Sequence, residues 1–179
     1  MNNILKKYSP SLVNKAKTIK AMISDVDGVL TNGKISYTSN GDEIKSFNVK
    51  DGLIVKKLRD SGIIVGLITG RSSSVVERRS HELGLDFCYQ GTTNKTEQYE
   101  KIKQDFSLID EEIAYLGDDV NDLSLIVRSG LGVAPADTMD YIKDKADLIT
   151  KKKGGEGVFR EAADLILASK GKLDKLFGY

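Results

Sequence analysis

Cysteine, histidine and tryptophan are almost missing from this chain: its 179 residues hold one cysteine, Cys88, one histidine, His81, and no tryptophan. A single thiol forms no internal disulfide, which points to a reducing cytoplasm. It also cannot head a Cys-x5-Arg phosphate loop, because Asn94 stands six positions after it. His81 lies in a helical stretch among Glu77, Arg78, Arg79 and Glu82, a poor setting for a nucleophile. Excess charge of either sign is missing too. Lys and Arg number 27 and Asp and Glu 26, for a formal charge of +1, so there is no basic footprint for nucleic acid. The Lys151-Lys152-Lys153 run reads as a solvated loop. Long apolar runs are lacking: the six residues Ile63–Ile68 fall far short of the ~20 that span a bilayer. Met1 to Lys7 has no apolar signal-peptide core. The expectation is a cytoplasmic protein with neither membrane nor nucleic acid as partner, acting on something small and anionic.

What is present suits a soluble enzyme. Hydrophobic content of 40% and charged content of 30% are ordinary globular usage, and the length fits one domain spanning 1–179. Strand-like runs near 21–25, 63–68, 87–89, 113–117, 131–133 and 147–149 alternate with helical stretches near 51–60, 73–83, 95–105, 120–129 and 156–169. That alternation predicts an α/β fold with a Rossmann-like, doubly wound parallel sheet. Helical spacing places Leu53, Val55, Leu58, Val158, Ala162, Leu165 and Ile166 on faces that pack against it. One stretch, about 34–49, alternates differently around Asn40-Gly41 and predicts a projecting β-hairpin. With those two residues as the loop, Tyr37 would pair with Ile44 and Ile35 with Ser46, putting Ile35, Tyr37 and Ile44 on one apolar face.

Chemistry concentrates at the ends of the apolar runs. Asp25-Val26-Asp27-Gly28 follows Ala21–Ser24, setting two carboxylates two residues apart where a strand gives way to a turn. The carboxyl end of such a strand is where open α/β sheets bind ligands. One carboxylate could attack phosphorus while the other handles the proton. A calcium loop is the competing reading, but Ser36 stands where its twelfth-position glutamate would be. A second cluster, Gly117-Asp118-Asp119-Val120-Asn121-Asp122, ends another apolar run. Two like charges 4 Å apart repel by about 4 kcal/mol at a surface-like dielectric, so these carboxylates call for a cation. All-oxygen donors select Mg²⁺. Between the clusters, Thr69 and Gly70 can donate to phosphate oxygens near a helix N-terminus, and Lys95 can neutralise transition-state charge.

In the order Asp-x-Asp, Thr, Lys, Gly-Asp-Asp-x-x-Asp, these elements resemble the four motifs of the haloacid dehalogenase superfamily of phosphatases. Further segments, including Gly41-Asp42-Glu43, Phe47-Asn48-Val49-Lys50-Asp51-Gly52, Tyr89-Gln90-Gly91 and Gly154-Gly155, make the chain similar to a narrower family, the 3-deoxy-D-manno-octulosonate 8-phosphate phosphatases. Lys50, Lys56 and Glu156 depart from that family's usual residues. Asp27 to Thr69 spans 42 positions and Thr69 to Lys95 spans 26, which leaves no room for a cap domain. A capless enzyme must take large substrates or borrow a lid from a neighbouring subunit, and the resemblance implies a homotetramer.

The resemblance implies that Asp25 is the nucleophile, Asp27 the acid and base, and Thr69 and Lys95 further catalytic residues. Mg²⁺ would be held by Asp25, the Asp27 carbonyl and Asp118, with Asp119 and Asp122 behind them. Asp27, Asn48, Val49, Lys50, Asp51, Gly52, Lys56, Thr69, Gly70, Arg71, Arg79 and Lys95 would contact a small sugar acid phosphate. Two other readings are a phosphatase of a nine-carbon sugar acid 9-phosphate and a non-catalytic phospho-acceptor or regulatory module. Receiver-type acceptors lack a second acid two residues on, which separates that last reading from this chain.

Overall fold

The computed structural model describes residues 2–174. Met1 and residues 175–179, the ends of the expected domain, lie outside the described residues. The strands are β1 (Ala21–Ser24), β2 (Ser36–Tyr37), β3 (Glu43–Ile44), β4 (Ile64–Ile68), β5 (Phe87–Tyr89), β6 (Ile113–Leu116), β7 (Leu131–Ala134) and β8 (Leu148–Ile149). The helices are α1 (Asn2–Leu5), α2 (Pro10–Thr18), α3 (Val49–Asp60), α4 (Ser74–Leu83), α5 (Lys95–Asp105), α6 (Leu123–Arg128), α7 (Asp140–Lys143) and α8 (Val158–Ser169).

Six strands form one parallel sheet in the order β5-β4-β1-β6-β7-β8. Leaving β1, the chain builds β4 and β5 on one side, then returns to build β6, β7 and β8 on the other. The crevice beyond the carboxyl ends of β1 and β6 is therefore the topological switch point. Alternation along each strand feeds two cores. Ala21, Ile23 and Tyr115 join Tyr99 and Ile102 of α5 in one. Met22, Ala114 and Leu116 join Leu58 of α3 and the apolar stripe of α8 in the other. Burial on both faces is why these strands read as unbroken apolar runs.

Three departures from the sequence reading have physical causes. Helices α1, α2 and α7 were not expected, although Ser9, whose hydroxyl accepts from the Leu12 amide, and Pro10 in the first turn are the usual signals of a helix start. Leu53 does not pack on the sheet: it is 66% exposed, and Ile54, Val55 and Leu58 fill the core instead. The hairpin exists, but its register is shifted by one residue. Tyr37 faces Glu43 and Ser36 faces Ile44. The Thr38 amide donates to Asp42 O, so Ser39, Asn40 and Gly41 form a three-residue loop, closed by Gly41 at φ +87°. A one-residue slip sends alternate side chains to the opposite face. Ile35, Tyr37 and Ile44 thus do not share a face; the partner of Tyr37 is Glu43.

Candidate active site

Three strand ends meet at the switch point. The Asp25 amide donates to Leu116 O at 2.9 Å, carrying the β1–β6 ladder one residue past β1 and delivering the Asp25 carboxyl, 5% exposed, into the crevice. Thr69 follows β4 and is buried, its amide donating to Tyr89 O. Asp118 follows β6. Gly28 makes this approach possible: at φ +91°, a Cβ there would stand 1.9 Å from Asp118 Oδ2. Asp25, Asp27, Gly33, Thr69, Gly70, Arg71, Asp118, Asp119 and Asn121 line a cleft of about 260 Å³.

Lys95, the first residue of α5, reaches in from beneath. Its buried ammonium lies 2.6 Å from Asp122 Oδ1 and 2.9 Å from Asp25 Oδ1. The Tyr115 hydroxyl donates to the same Asp122 oxygen at 2.6 Å, and the Asp118 amide donates to Asp122 Oδ2 at 3.3 Å. Both oxygens of Asp122 are thus engaged by protein donors. Burial works against the charged form of Lys95, yet Asp25 and Asp122 outweigh it and hold its pKa above the usual lysine value. Burial pushes Asp25 up to about 6, Asp122 adding to the shift and Lys95 opposing it. Asp118 is driven to about 7 by burial and then by the charges of Asp25 and Asp122.

Raised values of this kind follow from several carboxylates sharing one buried site. Asp25, Asp118 and Asp122 each offer an oxygen within 4.8 Å of the others. Asp25 Oδ1 is buried without a well-aligned hydrogen-bond donor. A buried carboxylate oxygen with only the Lys95 ammonium beside it, set among all-oxygen donors, fits a hard divalent cation. Asp119 is exposed and bonds the Val120 amide, at the rim of the cluster.

Asp27 faces the other side of the cleft. Its Oδ1 accepts from the Lys45 ammonium and, at 3.4 Å, from the Thr31 hydroxyl, while Arg71 Nε stands 3.7 Å from Oδ2. Lys45 was not singled out from the sequence, nor were Glu43 as a hub, Ser73 or Gly33. Glu43 accepts from Arg71 at 3.1 Å and from the Ser73 hydroxyl, and lies 3.6 Å from Lys45. The hairpin is thereby fastened over the cleft of its own chain. The one sequence signal for this is Gly41-Asp42-Glu43.

The remaining expected contacts do not line this cleft. Asn48, Asp51, Gly52 and Arg79 border a separate apolar recess with Phe47 and Leu83. Lys50 borders a groove with Tyr8, Lys152 and Arg160, and Lys56 one beside His81, where it pairs with Asp60 at 2.9 Å. Val49 is 78% exposed on α3. Asp51 is buried, its Oδ1 accepting from the Arg160 amide at 2.7 Å. It caps α8, whose N-cap residue, Gly157, has no side chain to do so.

A family model described as haloacid dehalogenase-like hydrolase matches residues 88–161. The 3-deoxy-D-manno-octulosonate 8-phosphate phosphatase KdsC of Salmonella typhimurium is 41% identical over 170 residues, 95% of this chain and 90% of the relative. A crystal structure of the Yersinia pestis phosphatase of that name superposes with TM-score 0.91 at 38% identity, covering 93% of this chain and 90% of the other. One from Moraxella catarrhalis, in complex with magnesium, phosphate and KDO, gives TM-score 0.93 at 37% identity, covering 96% and 98%.

Proposed function

Because the chain belongs to the 3-deoxy-D-manno-octulosonate 8-phosphate phosphatase family of haloacid dehalogenase-like hydrolases, we propose that it is a Mg²⁺-dependent phosphomonoesterase that releases phosphate from 3-deoxy-D-manno-octulosonate 8-phosphate. The observation that carries this reading is the convergence of Asp25, Asp27, Thr69 and Asp118 on one cleft with Lys95 beneath it.

Asp25 attacks the phosphoryl group in line, and the bond to the sugar oxygen breaks as Asp27 gives that oxygen a proton. Asp27 then takes a proton from water, which attacks phosphorus and frees Asp25. Thr69 and the Gly70 amide hold phosphate oxygens, and Lys95 offsets the charge that builds on them. Asp25, the Asp27 carbonyl and Asp118 would hold Mg²⁺, with Asp119 and Asp122 orienting its waters or Lys95. When bound, the ion neutralises phosphoryl charge and the repulsion among the carboxylates.

Arg71 reaches the cleft directly, whereas Asn48, Val49, Lys50, Asp51, Gly52, Lys56 and Arg79 are assigned to the sugar acid through the family. The Asp51 carboxylate, committed to α8, would not itself face an anionic substrate. We further read residues 1–179 as one domain of a cytoplasmic homotetramer. Supporting that reading are the missing cap and the exposed apolar side chains Ile35, Ile44, Val49 and Leu53. Among the described residues no helix is long and apolar enough to cross a membrane. If polar replacement of those four leaves a sedimenting tetramer intact, the assembly has another basis.

A phosphate-release panel tests the substrate, comparing the eight-carbon acid 8-phosphate with a nine-carbon sugar acid 9-phosphate, glucose 6-phosphate and a nucleotide. The highest kcat/KM is expected for the eight-carbon acid. A tenfold preference for another substrate, about 1.4 kcal/mol of transition-state discrimination, would overturn the substrate and leave the mechanism standing.

A further inference from the structure

We propose that Lys45, carried by the chain's own hairpin, is a positioning residue for Asp27: it pins Oδ1 of that carboxyl and leaves Oδ2 as the atom that exchanges the proton with the leaving group. This rests on the phosphatase reading and adds a residue to it.

The geometry is specific. A lysine side chain only 3% exposed is unusual on a two-stranded hairpin whose other side chains lie largely in solvent. Its ammonium is placed by two carboxylates, Asp27 and Glu43. Glu43 is in turn held by Arg71 and by the Ser73 hydroxyl at the start of α4. The hydroxyl of Tyr37, cross-strand partner of Glu43, lies 3.5 Å from Arg71 Nη2. The shifted hairpin register is what makes this possible, because it turns Tyr37 and Glu43 toward the cleft together.

Asp27 needs such a restraint. It sits where β1 has ended, its side chain 21% exposed, and a carboxyl at such a site rotates freely unless held. Lys45 and Thr31 both engage Oδ1. Oδ2 faces Arg71 Nε, a buried donor without a hydrogen-bond partner among the described residues. In the first half-reaction the Oδ2 proton passes to the sugar oxygen as its bond to phosphorus breaks and Asp25 bonds to phosphorus. In the second, Oδ2 takes the proton of water as the Asp25–phosphorus bond breaks. A misaligned Oδ2 costs both transfers while leaving Asp25 able to attack.

Leaving-group dependence separates this role from a structural one. A p-nitrophenolate leaves without a proton, whereas a sugar alkoxide does not. Single-turnover phosphorylation of Lys45→Gln, read by acid quench at saturating substrate and Mg²⁺, should fall at least about tenfold further for 3-deoxy-D-manno-octulosonate 8-phosphate than for p-nitrophenyl phosphate, against the ~10²–10⁴ that general acid catalysis supplies. Lys45→Arg should recover part of the difference, and Glu43→Gln should reproduce it with Lys45 in place. Equal losses on both substrates would mean that the hairpin matters only for the shape of the site. A change confined to KM for the sugar acid would make Lys45 a sugar contact; either result overturns the proposal. Wild-type protein inactive on every phosphate would instead overturn the phosphatase reading.

Discussion

Asp51→Asn distinguishes a buried helix cap from a substrate contact, and its effect on stability has a definite sign. Burial raises the Asp51 pKa from 3.8 to about 6, only partly offset by the Arg160 amide and charge. A carboxyl whose folded-state pKa lies above its unfolded value binds its proton first in the folded state. Stability from this group is therefore fully present below 3.8, is lost as pH rises from 3.8 to about 6, and is absent above that window. The shift is about two pH units, or about 3 kcal/mol. Asparagine keeps an acceptor for the Arg160 amide and cannot ionise. The stability of the variant relative to wild type should thus change by about 2 kcal/mol in favour of the variant between pH 4 and pH 8, part of the full effect being already lost at pH 4. For a chain of this size that corresponds to about 4–8 °C in relative Tm. Paired melts or urea titrations at pH 4, 6 and 8 measure it, and carboxylates common to both proteins cancel in the difference. Asp51→Ala, which removes the cap, should be less stable than Asp51→Asn by about 1 kcal/mol at every pH. A relative stability that does not move with pH, together with a large loss of turnover in Asp51→Asn, would refute this account and return the carboxylate to the substrate.

Asp25→Asn should abolish turnover, and acid-quenched mass spectrometry of the wild type during turnover should find phosphate on Asp25; phosphate on another residue sinks the assignment. Excess chelator should silence the enzyme and Mg²⁺ restore it, since Asp25, Asp118 and Asp122 crowd within 4.8 Å; undiminished activity in chelator would contradict the metal. Asp118→Ala should weaken Mg²⁺ binding, read by titration calorimetry, more than Asp119→Ala at the exposed rim. Gly28→Ala should cost turnover at least as heavily as Asp118→Ala, because its methyl would occupy the place of Asp118 Oδ2; near-wild-type kinetics would show that the β1 turn can open.

The parallel sheet, its strand positions and the carboxylates at the strand ends were legible because each depends on local order. A strand buried on both faces must be apolar throughout, so Ala21–Ser24 and Ile113–Leu116 announce themselves. Asp25, Thr69 and Asp118 stand directly after such runs, so placing the strands places the site. What depends on a register or on a distant partner was not legible. Alternation in the hairpin is compatible with a two- or a three-residue loop, and that one residue decides whether Tyr37 meets Ile44 or Glu43. With it goes the environment of Lys45, which in sequence is one lysine among many. Asp51 looks like a first-turn helical acid until folding brings α8, more than a hundred residues later, against it with an uncapped amide. Leu53 has the spacing of a core residue, yet the rotation of α3 on the sheet turns Ile54, Val55 and Leu58 inward in its place. Sequence by itself determined the sheet and the order of the chemical groups along it, since local burial and turn formation act on neighbours in the chain. Tertiary structure alone decided which lysine pairs with Asp27 and which carboxylate caps a helix, since a charge is placed by whatever partner folding carries to within a few ångströms.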